Sequence, residues 1–189
     1  MQKQREEWKE SQQKLDPSRL RFLDESSLNL GMTRLYGRAK TNERVRDYTP
    51  DVRFERVSII STIALDGNSA PMIFKGTLTG NLFGAYVKEF LAPTLKEGDI
   101  VVMDNLSSHK VAGALQPIYD VGASVRFLPP YSPDLNPIEM SWSKLKAIVR
   151  KLKPRTHEEL LEVLKIELYS FTNNDVRHWF QHDGYGVNL

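Results

Sequence analysis

Apolar positions along the chain alternate between strand-like and helix-like spacing. Short apolar runs predict strands, at 20–24, 56–64, 71–74, 100–103 and 124–128. The run at 100–103 is apolar throughout, as expected of a strand buried on both faces. Helical spacing of apolar residues predicts helices, at 79–95, 111–119 and 137–151. This order of elements predicts a mixed α/β domain, with hairpin strands first and crossover units later.

The remaining segments suggest three parts. Residues 1–19 are mostly polar, with Trp8 as their one aromatic side chain, and are expected to form a linker or a helix. Residues 20–155 hold the predicted sheet and include a long loop over 30–50. Residues 156–189 are expected to be a helical extension, which opens with the capping box Thr156-His-Glu-Glu159 and ends in a short helix capped by Asn173 or Asn174.

Composition limits the classes of protein that fit. The chain has 189 residues, 40% of them hydrophobic, which suits one domain with a substantial core. It has no cysteine, so disulfides and thiolate metal sites are excluded and any metal would be held by oxygen or imidazole ligands. No stretch has the length of a membrane span or the apolar core of a signal peptide, so we expect a cytoplasmic protein without membrane partners.

The net charge of +2 says little, but the basic residues are clustered. Two segments hold candidate DNA-binding side chains, namely Arg34, Arg38 and Lys40 in the first and Lys144, Lys146, Arg150 and Lys151 in the second. Such segments are often only solvated surface. Their position beside candidate catalytic carboxylates favours a polyanionic partner instead.

The stretch 127–146 joins two kinds of structure. Residues 127–136 contain three prolines and are expected to form an extended, turning loop. Asn136-Pro137 then predicts a helix start with Asn136 as the cap, which puts Glu139 in the first turn. Asn136 and Glu139 also have the spacing of a capping box, so a purely structural role for Glu139 is one alternative.

Three motifs carry a resemblance to a known family. Residues 130–139, Pro-Tyr-Ser-Pro-Asp-Leu-Asn-Pro-Ile-Glu, resemble the third motif of DDE transposases of the mariner superfamily, including its bacterial insertion-sequence branch. Residues 101–105 resemble the second motif and residues 22–26 the first. The resemblance implies a ribonuclease-H-like fold, a mixed sheet of about five strands flanked by helices, and the catalytic domain of a DNA transposase.

The same motifs identify candidate catalytic and metal-binding residues, Asp24, Asp104 and Glu139. Both aspartates are predicted to follow strands directly, and ligands in open α/β sheets gather beyond the carboxyl ends of strands. Three close carboxylates repel one another unless cations lie among them, and hard oxygen ligands favour Mg²⁺ or Mn²⁺. We therefore expect two such ions, about 4 Å apart, to hold the oxygens of a phosphoryl displacement.

Neighbouring residues have candidate supporting roles. Asn105 is expected to orient Asp104, and Asn136 to position Glu139. Glu25 is either a supporting ligand or an exposed turn residue, and His109 either contacts the site or is a surface or cap residue. Trp142 is expected to be a core residue.

The resemblance also implies a reaction and partners. Water would cut a DNA strand, and the freed 3′-hydroxyl would attack target DNA. The partners would be double-stranded DNA, as transposon ends and target, and a second copy of the chain in a homodimer on the bacterial nucleoid. Two alternatives stay open: a ribonuclease-H-like nuclease without strand transfer, and an inactive remnant that only binds DNA.

Overall fold

A mixed five-stranded sheet forms the centre of the part of the chain that the structure describes. The computed structural model describes residues 2–49, 56–67, 69–106, 109 and 111–187. The strands lie in the order β3-β2-β1-β4-β5. Their bounds are Leu20–Leu28 (β1), Val57–Ile63 (β2), Met72–Lys75 (β3), Ile100–Met103 (β4) and Ser124–Phe127 (β5). β1, β2 and β3 pair antiparallel, whereas β4 and β5 continue the sheet in parallel from β1. The mixed sheet of about five strands flanked by helices that the sequence predicts is confirmed.

Helices cover both faces of the sheet. Their bounds are Gln2–Gln12 (α1), Gly80–Tyr86 (α2), Gln116–Asp120 (α3), Ile138–Leu152 (α4), His157–Glu167 (α5) and Asn173–His182 (α6). On one face, apolar side chains of α1, α4, α5 and α6 pack with Phe22 and Val102 of the sheet. On the other, α2 and α3 pack with Leu23, Val101 and Met103. Successive residues of a strand point to opposite faces, so each strand serves both clusters.

Strand β1 is longer than predicted. It pairs with β4 only over residues 20–22, but its antiparallel pairing with β2 continues to Leu28. Asp24 therefore lies inside the strand, opposite Ser61, and not directly after it. The second half of β1 has mostly polar side chains. The hydrophobic pattern alone therefore predicts a strand that ends too early.

Helices were predicted with the right locations and several wrong ends. The helix predicted at 111–119 is limited to Gln116–Asp120, since Gly113 has a φ of +77° and the chain turns there. The helix predicted at 79–95 is α-helical only to Tyr86 and continues as a π turn and a 3₁₀ turn. The last helix is capped by Thr172, which forms a capping box with Asp175, and not by either asparagine.

Other predicted features are confirmed or fall outside the description. Thr156 and Glu159 form the predicted capping box. Pro50 of the predicted loop 30–50 and residues 107, 108 and 110 of the polar loop after Asp104 lie outside the described residues. Every helix in the described part of the chain is too short or too polar to span a membrane.

Candidate active site

Asp24 brings a buried carboxylate to the face of the sheet that α4 covers. Its side chain lies two residues after Phe22 in β1 and is only 9% exposed. Trp142 of α4 donates a hydrogen bond from Nε1 to Asp24 Oδ2, at 3.1 Å. The predicted core role of Trp142 is thus incomplete, because the indole is buried and also holds a candidate catalytic oxygen.

Asp104 directly follows β4, as predicted. Its Oδ1 accepts a hydrogen bond from the Leu106 backbone N–H at 3.3 Å and lies 3.0 Å from His109 Nδ1. Asn105 is exposed, and the described contacts of the Asp104 carboxylate do not include it. His109 and the backbone of Leu106 are the groups that contact the Asp104 carboxylate in the described structure, and the role of Asn105 stays a prediction.

His109 is fully buried between two acids, so the expectation of a surface or cap histidine is wrong. Its ring packs on Phe83, with centroids 4.5 Å apart. Its Nε2 lies 3.3 Å from Glu25 Oε2, an ion-pair distance without hydrogen-bond geometry. Burial lowers the pKa of His109, but the hydrogen bond to Asp104 and the charges of Asp104 and Glu25 outweigh it and raise the pKa to about 9.

Glu25 is half-buried within β1 and is not an exposed turn residue. It follows Asp24, so the two side chains point to opposite faces of the sheet. Glu25 thereby contacts His109 on the face of α2, while Asp24 contacts Trp142 on the face of α4. The imidazolium of His109 lies between Glu25 and Asp104. It contacts the Asp104 carboxylate from the face of the sheet that α2 covers.

Glu139 lies in the first turn of α4, as predicted, but the capping arrangement is different. Pro137 occupies the cap position and no side chain caps the helix. The backbone carbonyl of Asn136 accepts from the Glu139 N–H at 3.0 Å. The Oδ1 atom of Asn136 is buried and has no partner among the described residues. The Glu139 carboxylate is therefore not used as a helix cap, and the structural alternative for it is wrong.

One cavity of about 530 Å³ is lined by all three candidate carboxylates. Asn105, Asn136 and the loop 128–133 complete its wall. Desolvation, and then the charge of Glu139, raise the pKa of Asp24 to about 8, with smaller effects from Glu25 and Asp104. Desolvation also raises the pKa of Glu139, and Lys146 opposes that shift. Burial and the nearby acids therefore disfavour the charged forms of Asp24 and Glu139, and a bound cation would favour them.

The donor chemistry of this cavity fits divalent cations. Its acids offer only oxygen atoms, and the unpartnered Oδ1 of Asn136 is a further oxygen on the same wall. Within the described residues, however, no three or more His, Asp or Glu side chains are already placed to hold one metal ion. Ions binding to all three acids would have to draw the carboxylates closer together.

The two basic segments predicted to contact DNA meet at one surface. Arg34 lines a cavity of about 700 Å³ with basic residues of α4, which are Lys144, Arg150 and Lys151. Arg38 lines a neighbouring cavity with Lys151. Lys40 is exposed in the same loop as Arg34. The loop 33–49 and the exposed side of α4 thus form a shared basic surface.

Two of the lysines on α4 have other contacts. Lys144 Nζ lies 2.8 Å from Asp175 Oδ2 and 5.8 Å from the centroid of the Phe171 ring, so its charge is already paired. Lys146 is close enough to Glu139 to lower the pKa of that acid. Lys146 is thus a predicted DNA-binding lysine whose charge acts on Glu139.

Arg5 contacts the loop that leads into Glu139, and the sequence did not predict this contact. From α1 it donates to Ser132 Oγ at 2.7 Å and to both carboxylate oxygens of Asp134, at 3.0 and 2.6 Å. These residues belong to the loop that leads into Glu139. The contact spans more than 120 residues of sequence, and no local pattern around Arg5 signals it.

Comparisons with known proteins agree with this geometry. Residues 19–161 match a family model described as DDE superfamily endonuclease. None of the curated proteins compared with the chain matches it. Among solved structures, the fold is similar to a pre-cleavage Mos1 transpososome, with a TM-score of 0.76 and 13% identity over 100% of this chain and 65% of that one.

Two further solved structures also have a similar fold. A mariner Mos1 paired end complex with Mg gives a TM-score of 0.75 at 14% identity, over 96% of this chain and 58% of that one. The catalytic domain of Mos1 mariner transposase gives 0.64 at 10% identity, over 97% and 86%. At these identities the likeness shows the fold. The chain spans about three fifths of the longer Mos1 chains and most of the isolated domain.

Proposed function

Because this chain belongs to the DDE superfamily endonucleases over residues 19–161, we propose that it is a transposase catalytic domain that cuts DNA and joins the cut end to target DNA. The observation that carries the proposal is the cavity shared by Asp24, Asp104 and Glu139. Residues 20–155 would form the catalytic unit and 156–189 its helical extension. On the motif at 130–139, we assign the protein to the bacterial insertion-sequence branch.

The three carboxylates are the proposed ligands of two Mg²⁺ or Mn²⁺ ions. Such ions, when bound, lower the pKa of an attacking water and stabilise the charge of an in-line phosphoryl displacement. Asp24 is held from one side by Trp142, and Asp104 from the other by His109. Each aspartate is thus held by a residue that does not itself contact the cavity's other acids.

The protein's other residues would orient the DNA. The basic surface of Arg34, Arg38 and α4 lies along the chain segment that follows Glu139, so it would contact phosphates on the flanking duplex without reading sequence. Two of the similar Mos1 structures are a paired-end complex with a left transposon end and a strand transfer complex. We extend their DNA partner to this chain, and with it a homodimer that would hold two ends.

The proposal is tested by replacing Asp104 with Asn. The wild-type protein with Mn²⁺ should nick supercoiled plasmid and join a duplex oligonucleotide that carries a free 3′-hydroxyl to that plasmid. Asp104→Asn should lose both reactions by at least about a hundredfold, because the amide removes a charge needed at the metals. Asp120→Asn, at an exposed acid on α3, is the matched control and should remain active.

Two results would count against the proposal in different ways. Full nicking by Asp104→Asn would remove the carboxylate mechanism altogether. Nicking by the wild-type protein without any joining would leave the alternative function, a ribonuclease-H-like nuclease. Circular dichroism of both variants checks that the fold is intact.

A further inference from the structure

A second cavity adjoins the one that holds the carboxylates. It measures about 350 Å³ and lies between α1 and the end of β5. Four residues line both cavities, which are Asn105, Leu128, Pro129 and Pro130. An extended ligand that reaches the carboxylates can therefore continue into the second cavity without leaving the surface.

Arg126 places a cation in this second cavity. In the sheet it stands beside Val102 of β4, which in turn stands beside Phe22 of β1. Asp104 and Asp24 each lie two residues further along those strands. Two residues of a strand span roughly 7 Å, so the backbone of Arg126 is about that far back from the level of the two aspartates.

The guanidinium of Arg126 is held in place but not neutralised. Its Cζ lies 5.0 Å from the centroid of the Trp8 ring, and its Nη2 donates to Ser11 Oγ at 3.3 Å. No carboxylate among the described residues forms an ion pair with it. An arginine has five N–H donors in a planar fork that matches a phosphate, and most of those of Arg126 have no acceptor among the residues that the structure describes.

Packing alone is the simpler explanation for an arginine on a tryptophan. The setting of Arg126 goes beyond packing, because the half-buried cation lines a cavity that opens onto a proposed phosphoryl-transfer site. The acid of the cavity, Glu7, is directed elsewhere: its side chain is 61% exposed and lies 3.8 Å from Lys3. Glu7 therefore does not supply the anion that Arg126 lacks.

We propose that Arg126 binds a backbone phosphate of the DNA strand, one or two nucleotides from the phosphate that reacts at the carboxylates. Trp8 keeps the guanidinium flat and oriented, so the contact costs little ordering when DNA arrives. The proposal rests on the proposed function, since it takes DNA as the substrate. It adds a phosphate site on α1 and β5, separate from the basic surface of α4.

The first test measures DNA affinity in EDTA, where metal-dependent cleavage is silent. Arg126→Gln should weaken binding of a 30-base-pair duplex by about tenfold and lower the slope of log K against log salt by about one. Arg126→Lys should keep the slope, because it keeps the charge, and lose part of the affinity. Lys88→Gln removes the same charge from a side chain that is 73% exposed in the π turn after α2, and it should bind as the wild type does.

The second test locates the phosphate by changing the DNA, one phosphate at a time. Uncharged methylphosphonates are placed one at a time along the strand that is cut. The wild type should lose affinity at one position within two nucleotides of the cut, and Arg126→Gln should be insensitive at that position alone. Equal sensitivity of both proteins at every position would overturn the assignment.

These outcomes separate the two proposals. If Arg126→Gln binds with the wild-type affinity and salt slope while Asp104→Asn loses cleavage, the Arg126 site is wrong and the catalytic proposal stands. If Asp104→Asn cleaves fully but the Arg126 results hold, the chain is a DNA-binding protein whose catalysis does not use these carboxylates. A wild-type protein that binds no duplex would overturn both.

Discussion

Among single residues, Asp24 shows most clearly how stability and chemistry conflict. Its carboxylate is buried beside Glu139 and has one indole donor, so the charged form is unfavourable and its pKa is raised to about 8. A buried acid near a like charge destabilises a protein unless cations compensate it. The protein retains the acid nevertheless, which is expected where the acid is functional.

Replacing Asp24 with Asn should therefore stabilise the metal-free protein. The amide keeps an acceptor for Trp142 Nε1 and removes the cost of an acid whose pKa is higher in the folded than in the unfolded chain, so we expect a gain of about 1–3 kcal/mol in the free energy of unfolding at pH 7.5. For a chain of this length that is a rise of roughly 3–10 °C in Tm, measured by thermal melting in EDTA.

The same variant should lose its response to metal. Mn²⁺ should raise the Tm of the wild type and leave that of Asp24→Asn nearly unchanged, because ligand binding to the native state is what raises Tm. Asp120→Asn, an exposed acid, should match the wild type in both conditions. A lower Tm for Asp24→Asn in EDTA would show that the Asp24 charge is stabilising and would refute this account.

Among elements, the sequence predicts best what depends on local periodicity. The run at 100–103 became β4, with Asp104 at its end, because four apolar residues bounded by polar ones leave few alternatives. β1 was predicted too short because its second half is set by pairing with β2, about 35 residues away, and not by its own pattern. The aspartate in its middle could be identified from its motif but not from its position.

The supporting contacts of the site were beyond local patterns for the same reason. His109 reads as a loop histidine, yet it is buried because Phe83 of α2 covers it. Asn136 has the sequence of a cap, yet Pro137 takes that position. Each of these outcomes depends on tertiary packing, which overrides local preference.

One contact between elements, from Asp175 at the start of α6 to Lys144 in α4, gives a pH-dependent prediction. A hydrogen bond from Lys144 lowers the pKa of Asp175 most. Two hydrogen bonds from Thr172 and the charge of Lys144 lower it further, to about 2. The folded pKa is below the unfolded one, so the pair stabilises above about pH 4 and the stability is lost as the pH falls from about 4 to 2. Because the side chains are partly exposed, we expect about 1 kcal/mol.

Urea unfolding at several pH values measures this contribution. The free energy of unfolding of the wild type minus that of Asp175→Asn should be about 1 kcal/mol at pH 6 and should shrink between pH 4 and pH 2. Taking the difference removes the effect of the other acids that titrate there. A difference that stays constant down to pH 2 would show that Asp175 contributes through its cap on α6 and not through its charge.

At the scale of the whole molecule, the two ends of the described chain meet beside the loop that leads into Glu139. Trp8 of α1 donates from Nε1 to the Tyr185 hydroxyl at 3.2 Å, and that hydroxyl donates to the Leu135 carbonyl at 2.8 Å. Gln12 of α1 also donates to the Asp183 carbonyl, at 3.1 Å. Leu135 lies four residues before Glu139, so α1, the segment after α6 and the loop that leads into Glu139 are joined through one phenol.

The same region holds both of the α1 contacts that face the site. Arg5 binds Ser132 and Asp134 in the loop, and Trp8 supports Arg126. α1 is polar enough to read as a linker, but its one large apolar residue is buried in the main core. The position of α1 on the sheet therefore affects both the loop before Glu139 and the proposed phosphate site.

Tyr185→Phe tests whether the hydrogen bonds from Trp8 through Tyr185 to Leu135 support the loop that leads into Glu139. The variant keeps the ring that packs on Phe22, at 4.8 Å between centroids, and leaves the Trp8 N–H and the Leu135 carbonyl buried without their shared partner. Unpaired buried groups of this kind cost about 1–3 kcal/mol, so we expect a Tm lower by roughly 3–10 °C. Tyr169→Phe, at a side chain that is 70% exposed, should melt like the wild type.

The activity of Tyr185→Phe distinguishes a local role from a general one. If the phenol holds Leu135 and so the start of α4, plasmid nicking at 25 °C, well below the Tm, should fall severalfold even though the variant is folded, and the concentration of Mn²⁺ needed for half-maximal nicking should rise. That second shift is the specific result, since it reports on how well Glu139 is placed as a ligand. Nicking with unchanged rate and Mn²⁺ dependence, despite a lower Tm, would mean that the junction stabilises the fold without positioning the site.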